Sequence, residues 1–274
     1  MSYKSILVSV NIDGPISPAV TTALDIARRH GARLIGLCAA DVALPLTGPE
    51  GTSEAIDIWQ QMRDEIETRK FKQVHAAFKQ FVAGYDNVEW REALALPTSV
   101  IVEAARSSDL IVMAAPDEQS TGGHYRRVDP AGVVLRSGRP LLMLDGKTDR
   151  LKTDKIVVAW KDTREARRAV SDAVPLLKDA VEVIVVNVSA EVGQHVRESL
   201  ADVVGFLSAH GVKSKSEFIE DPHEYLALLR FIDESNADLV VSGAYGHSRL
   251  REWAFGGVTR SLLSENGINR LLSN

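Results

Sequence analysis

The chain has 274 residues, of which 45% are apolar and 25% are charged. This length suits two domains of about 130–150 residues each, and the composition excludes disordered, collagen-like and low-complexity chains. The formal net charge of -5 argues against a protein that binds nucleic acid or an anionic membrane, because binding to phosphate groups is driven by basic surfaces.

The sequence contains one cysteine, Cys38, so no internal disulfide can form. This usage is typical of a reducing compartment. Only a short apolar stretch precedes Asn11 and Asp13, which predicts neither a secretory signal nor a membrane span at this end. We therefore expect a cytoplasmic protein in which Cys38 is a buried, inert thiol.

The first half alternates strands and helices. A β-branched run over Lys4–Val10 is followed by a helical pattern over Ser17–His30 and a second strand over Arg33–Ala40. Later in this half, a helix over Ser99–Ser107 leads into a strand over Asp109–Ala114. This alternation predicts a parallel sheet with helices on both faces.

An insertion lies in the first half within Leu44–Asp86. Its first part, Pro45–Gly51, is rich in glycine and proline and is predicted to be a loop. From Ser53 to about Val82, apolar side chains recur near one face, which predicts one long helix. This helix is interpreted as a cover over its own domain or, alternatively, as a lid or a partner-binding surface.

The second half repeats the pattern after a short polar linker, Gly146–Asp154. Its predicted elements are strands over Lys155–Trp160, Val181–Val188 and Asp238–Gly243, and helices over Thr163–Leu177 and Tyr225–Ser235. The repeat predicts two domains, 1–148 and 152–274. Each half closes with a short apolar strand, Pro140–Asp145 and Ile268–Leu272, and we expect these two strands to pair the halves across a pseudo-twofold axis.

A glycine pattern follows the strand that ends at Gly243. Two residues separate Gly243 from Gly246, and nine more separate Gly246 from the pair Gly256 and Gly257. The basic residues between these glycines are His247, Arg249 and Arg251. Glycines let a backbone approach a ligand closely, and free N–H groups at a helix start attract anions. The pattern predicts a phosphate-binding loop, with a strand-end turn and a helix entry as the simpler alternative.

This spacing resembles the nucleotide-binding motif of the universal stress protein family. The surrounding GAYGHSRLREWAFGGVTRSLL, the opening VVAWKDTREARRAV and the duplicated halves make the whole chain similar to a tandem, UspA-like member. The resemblance implies two tandem Rossmann-like α/β sandwich domains. Each would be a five-stranded parallel sheet with helices on both faces, and the two would be paired by pseudo-twofold symmetry. It also implies a stress-response protein that binds ATP or AMP, with or without Mg²⁺, or no cofactor if the site has lapsed.

Residues of the second domain are matched to the family motif one by one. Gly243 and Gly246 match the glycines near ribose and phosphate, and Val188 matches a residue whose backbone meets adenine. Where the family has Ser or Thr after the third glycine, this sequence has Gly257, which keeps the backbone N–H but loses a hydroxyl donor. The implied nucleotide-binding residues are Ala159, Trp160, Lys161, Asp162, Val188, Gly243, Gly246, His247, Arg249, Gly256, Gly257, Val258 and Thr259.

The end of the first strand of the second domain departs from the motif. Nucleotide-binding members carry an Asp there, whereas this sequence has Lys161 followed by Asp162. Asp162 either substitutes for that Asp or caps the next helix. Since Asp162 and Glu165 have the spacing of a capping box, with Asp in place of Ser or Thr, we expect the cap.

The first half is predicted to be a degenerate copy of the site. Ala114 and Asp117 stand where the second half has Gly243 and Gly246, and a carboxylate there would repel a phosphate. Asn11 stands at the family's Asp position. A basic loop in this half, expected to be solvated rather than to bind an anion, contains Gly122, Gly123, His124, Arg126 and Arg127.

Other chemistry is disfavoured by the sequence. No Gly-x4-Gly-Lys-Ser/Thr loop is present, and the histidines lack the spacing of metal ligands. No general base stands out, so any ATP hydrolysis would be slow. We expect a regulatory binding protein, or alternatively a nucleotide-independent interaction scaffold with a protein partner. The internal pseudo-dimer leaves a homodimer open.

Overall fold

The computed structural model describes residues 2–45, 53–115, 123–145, 150–244 and 267–274. Contacts between residues divide the chain into two compact units, Tyr3–Ser137 and Gly138–Asn274. The domain boundary predicted near residue 150 stays a prediction, because part of the linker, residues 146–149, lies outside the described residues.

The first unit is built on a parallel sheet with strand order β3-β2-β1-β4. Its strands are β1 (Ser5–Ser9), β2 (Arg33–Ala39), β3 (Val88–Ala93) and β4 (Leu110–Ala114). Its helices are α1 (Ser17–His30), α2 (Ser53–Glu65), α3 (Phe71–Phe81), α4 (Pro97–Ala104) and α5 (Pro130–Ser137), with a π-helical segment at Ile66–Lys70 and 3₁₀ turns at Ala105–Ser107 and Gly123–Tyr125.

The second unit has the strand order β5-β10-β9-β6-β7-β8, in which every neighbouring pair except β5–β10 is parallel. Its strands are β5 (Leu141–Leu144), β6 (Lys155–Ala159), β7 (Glu182–Ser189), β8 (Ser214–Glu220), β9 (Leu239–Gly243) and β10 (Arg270–Ser273). Its helices are α6 (Arg164–Leu177), α7 (Gln194–Ala209) and α8 (Glu224–Ser235). The predicted α/β architecture with parallel sheets is confirmed.

The inner strands form because they are runs of β-branched and other apolar residues buried on both faces, which is typical of parallel sheets, whereas β3 and β8 carry charged residues and are only partly buried. In the second unit, Val157, Val186 and Val240 form one core cluster with residues of α8. Because side chains alternate along a strand, the neighbouring positions point to the other face, where Trp160 contacts α7 and Gly243 meets α6. The two faces of this sheet are therefore covered by different helices.

The predicted pairing of the two terminal strands is confirmed. β5 and β10 run antiparallel, with Leu142 opposite Leu271. Asn269 adds side-chain hydrogen bonds at the end of this pair, since its Oδ1 accepts from the Asp145 N–H at 3.0 Å and its Nδ2 donates to the Asp238 carbonyl at 3.0 Å. Because β5 pairs with β10, it is part of the second unit, although it belongs to the first half of the sequence repeat.

The long helix of the first half forms, with a change of winding in its middle. α2 and α3 are joined by the π-helical Ile66–Lys70 without a break. α3 covers its own unit: Phe71 and Phe78 are buried, and the ring of Phe78 lies 2.6 Å from where a Cβ on Gly36 of β2 would stand. α2 is different, because three of its apolar side chains are 43% to 51% exposed, namely Ile56, Ile58 and Met62.

Candidate functional site

The strand order of the second unit has its switch point between β6 and β9. From β6 the chain moves to β7 and β8 on one side, and then to β9 and β10 on the other. Ala159 lies opposite Ser242 across this boundary, so the residues that follow both strands leave the sheet at the same edge. Ligands of open α/β sheets bind in the crevice outside the carboxyl ends of the strands at such a point.

The predicted site residues at this edge separate onto the two faces of the sheet. Val188 is 5% exposed and belongs to the core cluster under α8, and Ala159 packs against that cluster. Trp160 faces α7 instead. Its indole N–H donates to Ser199 Oγ at 2.8 Å, and its carbonyl accepts from Asn187 Nδ2 at 2.9 Å. The structure therefore does not bring these three side chains together on one face.

Lys161 forms an ion pair with Glu224 in the first turn of α8. The position that carries an Asp in the family motif is thus occupied here by a cation with a partner. Sequence reasoning missed Glu224, because the pair joins residues 63 positions apart in the chain and neither residue belongs to a local motif. The edge carries an internal charge pair in place of a single carboxylate.

Asp162 does not cap α6, so that expectation is wrong. The N-cap is Thr163, whose side-chain oxygen accepts a hydrogen bond from the Ala166 N–H at 3.2 Å. Asp162 instead accepts from Arg167 Nε at 3.0 Å and lies 3.9 Å from His195 Nε2. A Thr at this position satisfies a free N–H of the first turn, which leaves the carboxylate of Asp162 available to the side chains of α6 and α7.

Gly243 has a packing role that the spacing does not reveal. A Cβ on Gly243 would stand 2.5 Å from the Ala166 N and 2.7 Å from the Glu165 carbonyl carbon. The absence of a side chain therefore lets the first turn of α6 approach the end of β9. The contact of Gly243 with a ligand stays a prediction.

Glu165 lies at this same contact. Its side chain is 7% exposed, and its Oε1 accepts from Arg164 Nε at 3.1 Å. Its Oε2 is buried without a hydrogen-bond partner among the residues that the structure describes. Buried carboxylate oxygens are normally paired, so Glu165 offers an acceptor beside the switch point. In the sequence, Glu165 stands out only by its spacing from Asp162, which does not reveal a buried acceptor.

Seven of the predicted site residues lie outside the described residues. They are Gly246, His247, Arg249, Gly256, Gly257, Val258 and Thr259. Their roles as nucleotide contacts stay predictions.

Two ion-paired carboxylates lie at the corresponding edge of the first unit. Asp13, which follows β1, accepts from Arg126 at 3.0 Å and also pairs with Lys70 of the π-helical segment. Asp41, which follows β2, pairs with Arg63 of α2, and its N–H donates to the Tyr125 carbonyl at 2.8 Å. Arg126 is therefore used internally, and the interpretation of this half as a degenerate copy of the site stays a prediction. Gly122 and Asp117 lie outside the described residues.

A cleft between α6 and α7 is the second feature of this unit. It encloses about 530 Å³. Its lining residues are Trp160, Asp162, Arg167, Val170, His195, Glu198, Ser199, Asp202, Val203 and Phe206. Trp160 and Asp162 thus belong to this cleft. The α7 members could have been suspected from their recurrence at three and four residues, the period of one helix face.

Within the described ranges, no group of three or more His, Cys, Asp or Glu side chains is placed to hold a metal ion. Nor does any helix in that part of the chain have the length and hydropathy needed to cross a membrane.

Burial, reinforced by the charges of Glu92 and Asp13, raises the pKa of the Cys38 thiol to about 12. The thiolate is therefore scarce near neutral pH, as expected for an inert cysteine.

The comparisons with known proteins rest on structure. No protein-family model matches the sequence, and no curated protein matches it. A universal stress protein from Archaeoglobus fulgidus DSM 4304 is similar over 98% of this chain and 96% of its own, with a TM-score of 0.68 and 15% identity. A functionally unknown protein from Pseudomonas aeruginosa PAO1 is similar over 99% and 92%, with a TM-score of 0.58 and 18% identity.

A smaller solved structure, a universal stress protein in complex with cAMP, is 20% identical and covers 53% of this chain and 98% of its own, with a TM-score of 0.36. The match to the Archaeoglobus fulgidus structure, with the element order and parallel sheets described above, leads to one conclusion: this chain shares the fold of that universal stress protein.

Proposed function

We propose that this chain is a stress-response regulatory protein that binds ATP or AMP at the second unit's switch point. The observation that carries the proposal is the position of the glycine pattern. It begins at Gly243, the last residue of β9, next to the residues that follow β6. A glycine-rich segment in this position, at the carboxyl edge of a parallel sheet, is suited to bind phosphate through backbone N–H groups.

Glu165 supports the nucleoside part of the proposal. Glu165 lies in the first turn of α6, its backbone packs against Gly243, and its buried Oε2 has no hydrogen-bond partner among the described residues. A ribose hydroxyl is a donor that such an oxygen can accept from. The carboxylate and the glycine segment would then hold opposite ends of a nucleotide, one by accepting hydrogen bonds and the other by donating them.

Two substitutions relative to the family motif act against tight binding. Gly257 lacks the hydroxyl donor, and Lys161 with Glu224 replaces a lone Asp. We expect Gly257→Ser to strengthen ATP binding, because it restores a donor to phosphate. The double variant Lys161→Asp/Glu224→Gln is expected to act in the same direction at the nucleoside end without placing two carboxylates side by side.

The test is isothermal titration of the full chain with ATP and with AMP. Gly246→Asp should weaken binding at least tenfold, since a carboxylate repels phosphate. Gly205→Asp is the matched control: Gly205 lies on α7 with nothing within 4 Å of its would-be Cβ, so the same added charge should leave binding nearly unchanged. Absence of both heat and thermal shift at millimolar nucleotide would contradict the proposal.

A nucleotide-independent scaffold is the second candidate, and the exposed apolar residues of α2 favour it. Ile56, Ile58 and Met62 expose apolar surface of a kind that protein partners cover. A partner captured equally well with and without ATP, and lost with Ile58→Lys but not with Gly246→Asp, would support the scaffold. Capture that depends on ATP would support the regulatory binding protein instead.

A further inference from the structure

The cleft between α6 and α7 has the dimensions of a small-molecule site. Its volume of about 530 Å³ lies within the range of roughly 300–1,000 Å³ that ligand pockets occupy. It is formed entirely within the second unit, by Trp160 and Asp162, which lie between β6 and α6, and by the facing sides of two helices.

The apolar part of the cleft is formed by two aromatic side chains and two valines. Trp160, Val170 and Val203 are at most 5% exposed, and Phe206 is 39% exposed. The hydrogen bond from the Trp160 indole N–H to Ser199 fixes the orientation of the indole ring. Two aromatic side chains and two valines are therefore available to a flat apolar group, and the indole N–H is already used.

The charged part of the cleft is acidic and incompletely neutralised. Asp162 is paired with Arg167. Glu198 and Asp202 stand one turn apart on α7, and in the described part of the chain neither has a cation within ion-pair distance; Glu198 accepts only from the neutral Gln194, at 2.7 Å. Like charges at this spacing destabilise a helix. Both residues are exposed, and their carboxylates lie beside the apolar part of the cleft without a cationic partner in the described part of the chain.

We propose that this cleft binds a small organic ammonium ion that carries a flat apolar group. The ammonium group lies between Glu198 and Asp202, and the apolar group packs against Trp160 and Phe206. The charges of Glu198 and Asp202 disfavour a phosphate. Trp160 and Asp162 are shared with the predicted nucleotide contacts, but Glu198, Asp202 and Phe206 are not, so binding of the amine does not require binding of a nucleotide.

The test uses 2-phenylethylammonium as the cationic probe and 2-phenylethanol as its neutral analogue. Isothermal titration of the full chain should show the amine binding at least tenfold more tightly than the alcohol, because only the amine neutralises the two carboxylates. Added salt should weaken binding of the amine and not of the alcohol, since attraction between exposed charges is screened.

The variant Glu198→Gln/Asp202→Asn keeps the shape of both side chains and removes their charge. It should bind the amine about tenfold more weakly and the alcohol as before. Glu234→Gln, at an exposed position of α8, is the matched control and should change neither. Equal binding of amine and alcohol, no binding of either at millimolar concentration, or full amine binding by a double variant with a native circular dichroism spectrum would overturn the proposal.

Discussion

At Gly243, the lack of a side chain has two possible reasons, the approach of a ligand and the approach of a helix. The family motif predicts a glycine at position 243 because a ligand approaches the backbone there. In the structure, a glycine is needed because α6 approaches: a Cβ on residue 243 would lie 2.5 Å from the Ala166 N. The second reason holds whether or not a nucleotide binds. A loss of binding on substituting Gly243 would therefore not identify a ligand contact, which is why Gly246 is the better residue for that test.

Gly243→Ala is expected to lower the free energy of unfolding by about 1–3 kcal/mol, because the added methyl group overlaps helix backbone that cannot rotate away. Urea denaturation measures the change. Gly205→Ala is the control, since its Cβ would meet nothing within 4 Å and alanine favours a helix interior by roughly 0.5–1 kcal/mol over glycine. Equal stability of Gly243→Ala and the wild type would show that α6 does not pack as described.

At the scale of one element, the start of α6 depends on a single hydroxyl. Thr163 has extended backbone angles and accepts from the Ala166 N–H, as an N-cap residue does. The neighbouring Asp162 has the residue type and spacing of a cap but pairs with Arg167. Asp and Thr are both common N-cap residues, so the residue types alone do not tell which of Asp162 and Thr163 is the cap. The backbone geometry decides it.

Thr163→Ala should reduce the free energy of unfolding by about 0.5–2 kcal/mol, because the first turn of α6 loses an acceptor. Chemical denaturation followed by circular dichroism gives the value. Asp162→Asn is the comparison and should cost less than about 1 kcal/mol, since it removes only an exposed ion pair. A larger cost for Asp162→Asn than for Thr163→Ala would reassign the cap.

The long helix is a second case at this scale. Its apolar stripe predicts a continuous helix but not the π-helical turn at Ile66–Lys70. Such turns add a residue to one helical turn and are frequent at functional positions. Here the turn contains Lys70, which pairs with Asp13 at the edge of the first unit's sheet. The π-helical winding of Ile66–Lys70 is therefore accompanied by an ion pair with a residue far away in the sequence, Asp13.

At the scale of the whole molecule, Asn269 forms hydrogen bonds to segments that are far apart in the chain. It is 8% exposed and bonds the backbone at Asp145 and Asp238, while its own carbonyl accepts from the Val240 N–H at 2.9 Å. The side chain thus satisfies one donor and one acceptor at the place where β5, β9 and β10 meet.

Asn269→Ala is expected to destabilise the chain by about 1–3 kcal/mol, because buried backbone groups lose their partners. Thermal or urea unfolding of the full chain measures the loss. Asn274→Ala serves as the control. It removes one hydrogen bond, to the Ala244 carbonyl at 2.7 Å, from a partly exposed position, and it should cost less than about 1 kcal/mol. An equal effect of both variants would contradict the special role of Asn269.

Edge strands mark one limit of prediction from sequence. β8 reads Ser-Lys-Ser-Glu-Phe-Ile-Glu and β3 reads Val-Glu-Trp-Arg-Glu-Ala, and the sequence analysis predicted neither. Both lie at the outer ends of the strand order, where one side of the strand has no partner within its unit. Charged residues are common there because they discourage pairing with other chains, and they also remove the apolar pattern by which a strand is recognised.

The sequence by itself determined the duplicated pattern, the buried strands, the amphipathic helices and the place of the glycine segment after β9. These follow from local periodicity and composition, which each segment carries within itself. Only the tertiary structure decided that Lys161 meets Glu224, that Trp160 and Asp162 line a cleft with α7, and that Gly243 packs against α6. Such contacts join residues distant in the chain, and they depend on which face of the sheet each side chain reaches and which helix covers that face.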